Sequence, residues 1–193
     1  MAPEGKPSGV SAWSFRPPFW YRNAAMSTPI KPDDESAARP GEVSVELPGA
    51  FDSGVYFIGT IHTPWRTRAE CPKNPRESKG AICSIEVDER YAQGLAGIEA
   101  FTHVVVLYFM DQARRDLITQ VPRHLGIARG TFSLRSPARP NPIALSVAKL
   151  LKVEGNRLTV AGIDCLDGTP LLDIKPYLPT VDAIESYAPP RKN

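Results

Sequence analysis

The sequence predicts a mainly β fold, a single-domain β-barrel with long loops. Two features carry that expectation. From Phe51 onward, apolar runs of strand length alternate with turn residues. Long helices are not interleaved between them, which argues against a doubly wound sheet and for strands closed on themselves. Neither GxGxxG nor GxxxxGK[ST] occurs to contradict this.

Residues 1–50 read as a flexible Pro-rich extension. Prolines recur from Pro3 to Pro48, Asp33-Asp34-Glu35 forms an acidic run, and apolar periodicity is missing. Trp13, Phe15, Phe19, Trp20 and Tyr21 stand out as a group able to dock on the domain or on a partner. The barrel is expected over residues 51–187 and a short tail over 188–193. Val55–Ile61 reads as its first strand, Ala81–Val87 as the second, and Asp88–Leu95 as one or two helical turns. Thr102–Phe109 is the central strand, because Val104-Val105-Val106-Leu107 is apolar on both faces. Pro142–Val153 mixes helix-forming Leu and Ala with alternating Ile143, Leu145 and Val147. The Glu154-Gly155-Asn156 turn and strand-like Leu158–Ile163 decide for a hairpin.

The 193 residues suffice for one well-buried domain, and the formal charge of +2 permits a nucleic-acid partner without demanding one. Cys71, Cys83 and Cys165 are odd in number and lack CxxC spacing, so neither a disulfide framework nor a metal site is indicated. No apolar stretch approaches membrane-spanning length, and a cytoplasmic location without membrane association is expected.

Chemistry-bearing residues concentrate in loops. In Leu134–Ser146, Pro137, Pro140 and Pro142 fix the backbone, so Arg135, Arg139 and Asn141 project from a pre-ordered scaffold suited to a polyfunctional ligand. The same composition also describes a stiffened surface connection. Two basic loops follow strands. One runs from His62-Thr63-Pro64 through Arg66, Arg68, Cys71-Pro72-Lys73-Asn74-Pro75, Arg76 and Lys79; the other carries Arg114, Arg115, Arg123 and Arg129 against Asp116. Together they offer a phosphate-backbone footprint or merely a solvated face. Asp164-Cys165-Leu166-Asp167-Gly168-Thr169-Pro170 is either a plain DG turn or one whose carboxylates accept from hydroxyl and amino groups. Asp111-Gln112 sits at the exit of the central strand, where polar residues often face a site. His62, His103 and His124 have neither metal spacing nor a neighbouring nucleophile.

Taken in order, Phe57–Pro64, Gly94–His103, Arg135-Ser136-Pro137 with Arg139-Pro140-Asn141-Pro142-Ile143, and Leu166–Pro170 through Asp173–Tyr177 resemble the TrmO family, also called TsaA-like or YaeB-like, over roughly Val55–Tyr187. The resemblance implies a dimeric β-barrel that binds S-adenosylmethionine outside the Rossmann fold and methylates N6 of threonylcarbamoyladenosine beside the tRNA anticodon. By motif, the cofactor contacts fall on Pro72, Lys73 and Asn74, on Asp111 and Gln112, on Arg135 and Leu145, and on Asp167, Gly168, Thr169 and Pro170. Arg114, Arg115, Arg123, Arg129, Arg139 and Asn141 are the candidates for substrate or RNA. Family members often have Arg-Gln at Lys73-Asn74 and His-Gln at Asp111-Gln112, and some carry a further C-terminal domain. Methyl transfer is an in-line displacement needing alignment rather than a protein nucleophile. Because N6 of an adenine is a weak nucleophile, a proton acceptor helps. Asp111 is the candidate catalytic residue, with the acids of Asp164–Asp167 as alternatives. A small-molecule methyltransferase and a non-enzymatic nucleotide- or RNA-binding adaptor are the competing readings.

Overall fold

The computed structural model describes residues 38–50, 52–74 and 80–184. The aromatic group at Trp13–Tyr21, the basic residues Arg76 and Lys79, and the tail from 185 lie outside the described residues. In chain order the strands are β1 (Val43–Ser44), β2 (Gly59–His62), β3 (Ile82–Val87), β4 (His103–Phe109), β5 (Leu117–Gln120), β6 (Arg129–Gly130), β7 (Ile143–Glu154), β8 (Arg157–Ala161) and β9 (Thr169–Pro176); one helical turn, α1 (Pro179–Asp182), follows. Six strands close into a barrel in the order β2-β3-β8-β7-β4-β9, with every neighbouring pair antiparallel.

Alternation explains which side chains fill it. Ile61, Cys83, Ile85, Val87, Val104, Val106, Leu158, Val160 and Leu171 point inward and are buried. Each such aliphatic side chain contributes about 1.5–3 kcal/mol relative to exposure. Register shifts at Leu107/Tyr108 against β9 and at Leu150/Lys152 against β8 supply irregularities of the kind that help a sheet curve. At Gly59 an added Cβ would lie 2.1 Å from the Glu86 carbonyl oxygen, so the β2–β3 approach requires glycine.

Antiparallel closure sorts the connections between two ends. Pairings His62 with Ser84, Ile82 with Ala161, Phe109 with Ile143 and Ile61 with Thr169 bring the exits of β2, β4 and β8, and with them residues 63–74, 110–142 and 162–168, to one mouth. The other end is closed by the 3-10 turns Glu89–Leu95 and Ile98–Ala100 and by the tight β7–β8 turn at Gly155-Asn156.

Several expectations shift. The first strand is Gly59–His62 rather than Val55–Ile61, because the residues before Gly59 lie outside the β3 ladder, although Ile58 N–H still donates to Leu171 O. The helical turns at Asp88–Leu95 are 3-10. The long 110–142 segment contributes β5 and β6 to a small sheet, β1-β5-β6, that the sequence did not announce. Its first strand lies inside the segment expected to be a flexible extension. There Glu42 accepts from Arg39 N–H at 2.9 Å and from Val121 N–H at 3.1 Å.

Candidate functional site

The proline loop is built first from its own side chains. Arg139 donates to Ser136 O at 2.8 Å and to Leu134 O at 2.6 Å, so this guanidinium clamps the loop that carries it. Arg115 reaches across from the preceding segment to Pro140 O at 2.6 Å and to Asn141 Oδ1 at 3.3 Å. Buried Gln120 donates to Ala138 O at 2.6 Å and to the Thr131 hydroxyl at 2.9 Å, while that hydroxyl donates to Leu117 O at 2.9 Å. Arg114 forms a two-pronged pair with Asp116 at 3.0 and 2.6 Å, which holds the Asp116 carboxyl below its ordinary pKa. Arg135, itself exposed, donates to Leu145 O at 3.0 Å on β7. The sequence presented these arginines as forks for a ligand; the structure shows Arg114, Arg115, Arg135 and Arg139 each holding protein groups. Arg123, Arg129 and Lys73 are exposed.

The Asp167 turn is tied just as firmly to the exit of β2. Asp167 Oδ1 accepts from Thr63 N–H at 3.2 Å and lies 3.4 Å from His62 Nδ1. Its own N–H donates to Trp65 O at 2.7 Å, and Gly168 N–H donates to Ile61 O at 2.9 Å. Gly168 has φ 82°, which glycine adopts without strain, and nothing lies within 4 Å of where its Cβ would be. Thr169 donates to Leu166 O at 2.7 Å. The result is a fixed turn with an exposed carboxylate and an open backbone.

Sequence reasoning missed two residues beneath this turn. Inside the mouth, Tyr108 of β4 donates to Asp164 Oδ1 at 2.7 Å and shares a 2.9 Å hydrogen bond with Ser146 of β7, whose hydroxyl also lies 3.4 Å from Asp164 Oδ1. Tyr108 and Ser146 are 1% and 2% exposed. Burial, reinforced by the Asp164 charge, raises the Tyr108 pKa, so its hydroxyl stays protonated and is a donor. Cys71 Sγ donates to the Asp164 carbonyl at 3.2 Å, bringing the Pro72-Lys73-Asn74 segment to the same point. A usable signal was present: the inward small residues Ala144, Ser146 and Ala148 on β7 leave room for a large partner from β4, and Tyr108 pairs with Ala144.

Asp111 and Gln112 stand exposed at the exit of β4, on this mouth but outside the hydrogen-bonded cluster. Partial burial of the Asp111 carboxyl raises its pKa against the opposing effect of the backbone N–H groups of Asp111 and Gln112. Burial pushes the Cys71 and Cys83 thiols up to about 11 and raises Cys165 further. Among the described residues no group of three or more His, Cys, Asp or Glu is arranged to hold a metal.

A closed antiparallel barrel with fixed turns and carboxylates gathered at one mouth defines a barrel-type binding domain. The chain belongs to the tRNA-methyltransferase O N-terminal domain family, which it matches over residues 60–183. It is 45% identical over 138 residues to the Rhizobium radiobacter protein named "Probable S-adenosyl-L-methionine-binding protein VirR", covering 72% of this chain and 78% of that one. It is 46% identical over 138 residues to the tRNA (adenine(37)-N6)-methyltransferase of Mus musculus, covering 68% of this chain but 32% of the relative. The crystal structure of TrmO from Pseudomonas aeruginosa superposes with a TM-score of 0.59 at 33% identity, covering 72% of this chain and 62% of that one. The chain thus spans about a third of the mouse relative and about three-fifths of the Pseudomonas structure.

Proposed function

We propose that this chain is an S-adenosylmethionine-dependent methyltransferase acting on N6 of threonylcarbamoyladenosine next to the anticodon of tRNA. The observation that carries the reading is convergence: the segments matching the family's cofactor motifs all emerge at one mouth of the barrel, and two of them meet at Asp164, Cys71 beside Pro72 by its thiol and Ser146 beside Leu145 by its hydroxyl. Relatives named for S-adenosyl-L-methionine binding and for tRNA adenine methylation support both halves.

The donor set suits the cofactor. The Asp167–Pro170 turn offers a carboxylate and an unobstructed backbone for hydroxyl and amino groups, with Pro72, Lys73, Asn74, Gln112, Arg135 and Leu145 completing the wall. When bound, the cofactor supplies an electrophilic methyl group. The chain's contribution is alignment of donor and acceptor, with Asp111 taking the proton from the acceptor nitrogen. Its raised pKa brings it nearer to the range in which a carboxylate is an effective base. Arg123, Arg129 and Asn141 are exposed in the segment that leaves the mouth, and in this reading they would meet incoming phosphates.

The active unit is a homodimer in this reading. Ile143, Leu145 and Val147 alternate along the outward face of β7, with Leu151 beyond the exposed Lys149, and all four are 43–45% exposed, an apolar surface that a second copy would cover. Mass spectrometry of tRNA nucleosides from cells lacking the gene tests the substrate. Loss of the N6-methylated nucleoside on deletion and its return with wild type supports the reading; an unchanged profile removes the tRNA assignment. A small-molecule acceptor is the second reading. It is favoured by Arg114 and Arg115, whose guanidinium groups hold protein partners.

A further inference from the structure

Asp164 is a half-buried carboxylate in the mouth of the barrel, and among the described residues no cation pairs with it. Among the described residues, Glu42, Glu86, Asp116, Glu154, Asp167 and Asp173 each pair with an arginine, lysine or histidine, and Asp164 does not. Instead Oδ1 is fixed by neutral hydroxyls, Tyr108 at 2.7 Å and Ser146 at 3.4 Å, both on side chains almost wholly buried. Among the described residues Oδ2 accepts no hydrogen bond, and it is not a buried oxygen left without a partner. Removing a carboxylate partly from water without a counter-charge is costly, and neutral donors offset only part of that cost. A cationic ligand would complete it.

Position supports the same conclusion. Asp164 is where the segments of the mouth meet: Cys71 donates to its carbonyl, Tyr108 stands at the end of the strand leading to Asp111, Ser146 follows Leu145, and Asp167 lies three residues on. We propose that Asp164 is the group that meets the positive sulfur of S-adenosylmethionine, so that the site tells the sulfonium donor from its neutral thioether product. This rests on the cofactor reading above and adds to it which residue reads the charge. The donor loses its sulfur charge when the methyl group leaves, so the contact favours binding of the donor and release of the product. The hydroxyls of Tyr108 and Ser146 act as positioning groups, holding the carboxylate in one orientation.

The two ligands share adenosine and amino acid moieties and differ at sulfur, so their ratio isolates the charge. Calorimetric titration of the full chain is expected to show Asp164→Asn weakening S-adenosylmethionine by about tenfold, as for a partly desolvated charge pair. S-adenosylhomocysteine should change by less than about twofold, since its sulfur is neutral. If Asp164 merely pins the Asp167 turn, a folded variant loses both ligands equally, and that result overturns the proposal, as does no change in either. Should Asp164→Asn fail to fold, Tyr108→Phe carries the test. It keeps the ring and removes the hydroxyl that orients Oδ1, and it must move the ratio in the same direction for the proposal to stand. Wild-type protein that binds neither ligand overturns the cofactor reading itself, a result distinct from an unaltered ratio.

Discussion

The two ends of the barrel are made from the same strands and solve opposite problems. At the hairpin end, Val87, Leu95 and Leu158 seal the interior, the β7–β8 turn is tight, and Asn156 donates to Val87 O at 2.7 Å to finish the β3 edge. At the mouth, the corresponding interior level is occupied by Tyr108, Ser146, Thr169 and Asp164, and the connections are long. One end is ordered by apolar burial, the other by hydrogen bonds between segments far apart in sequence. In the proposed reading, stability and ligand recognition fall to different ends. Mutations should separate them.

The largest effect is expected from Leu158→Ala. Leu158 is fully buried, paired with Ile85 and Val153, and its truncation should cost about 2–5 kcal/mol in denaturant unfolding. The ratio of S-adenosylmethionine to S-adenosylhomocysteine affinity should stay as in wild type. A changed ratio would show that the two ends are mechanically coupled.

Next come two glycines that differ in kind. Gly59→Ala places a Cβ against the Glu86 carbonyl, forcing backbone apart at a cost of about 1–3 kcal/mol. Gly168→Ala meets no atom within 4 Å but must hold φ 82°, a strain of about 1–2 kcal/mol located in the turn that carries Asp167. Melting should rank the first variant as less stable. Cofactor affinity should fall more in the second. The reverse order in affinity would place the binding determinants away from the Asp167 turn.

The same division decides how much was legible beforehand. Val104–Leu107 and the Glu154–Asn156 turn announce β4 and the β7–β8 hairpin because local pattern and turn chemistry agree with the final pairing. The small β1-β5-β6 sheet did not show itself. Its strands are two to four residues long and depend on Thr131 and Gln120 bonding across eleven positions or more. At the mouth, the segments were identifiable from proline, glycine and charge. The roles of individual arginines were not, since only the folded loop reveals that Arg139 serves its own carbonyls. Tyr108 and Ser146 passed as ordinary strand residues because their inward direction acquires meaning only once Asp164 is placed opposite.

Acid should loosen the mouth's appended sheet before the barrel. Burial works to raise the Glu42 pKa, but hydrogen bonds from Arg39 N–H, the Arg39 guanidinium and Val121 N–H outweigh it, and the folded pKa lies below 4.5. A depressed carboxylate stabilises the folded form fully above its unfolded pKa, and the contribution disappears as pH falls through the lower folded value. Asp116 has the same sign through Arg114. Hydrogen exchange followed downward from neutral pH should therefore show Val43–Ser44 and Leu117–Gln120 losing protection below about pH 4.5, the upper edge set by the unfolded carboxylate. The β4 amides should hold at the same pH. Glu42→Gln should flatten the difference, whereas protection that fades equally in β4 and β5 would mean that the sheet and barrel open together.

The smallest effect is expected at the hairpin end's own ion pair. Arg157 bonds Glu86 across the β3–β8 ladder, in register, with side chains 52% and 43% exposed. Water screens both partners, and ordering two long side chains offsets part of the attraction, so Arg157→Ala should change unfolding free energy by about 0–1 kcal/mol. Raising the salt concentration should shrink even that, since the pair is open to counterions. Urea unfolding of wild type and variant at low and high salt measures both quantities. A loss well above about 1 kcal/mol that persists in high salt would mean that charge, and not apolar burial alone, holds this end closed. The contrast between a sealed apolar end and a polar mouth would then have to be redrawn around Arg157 and Glu86.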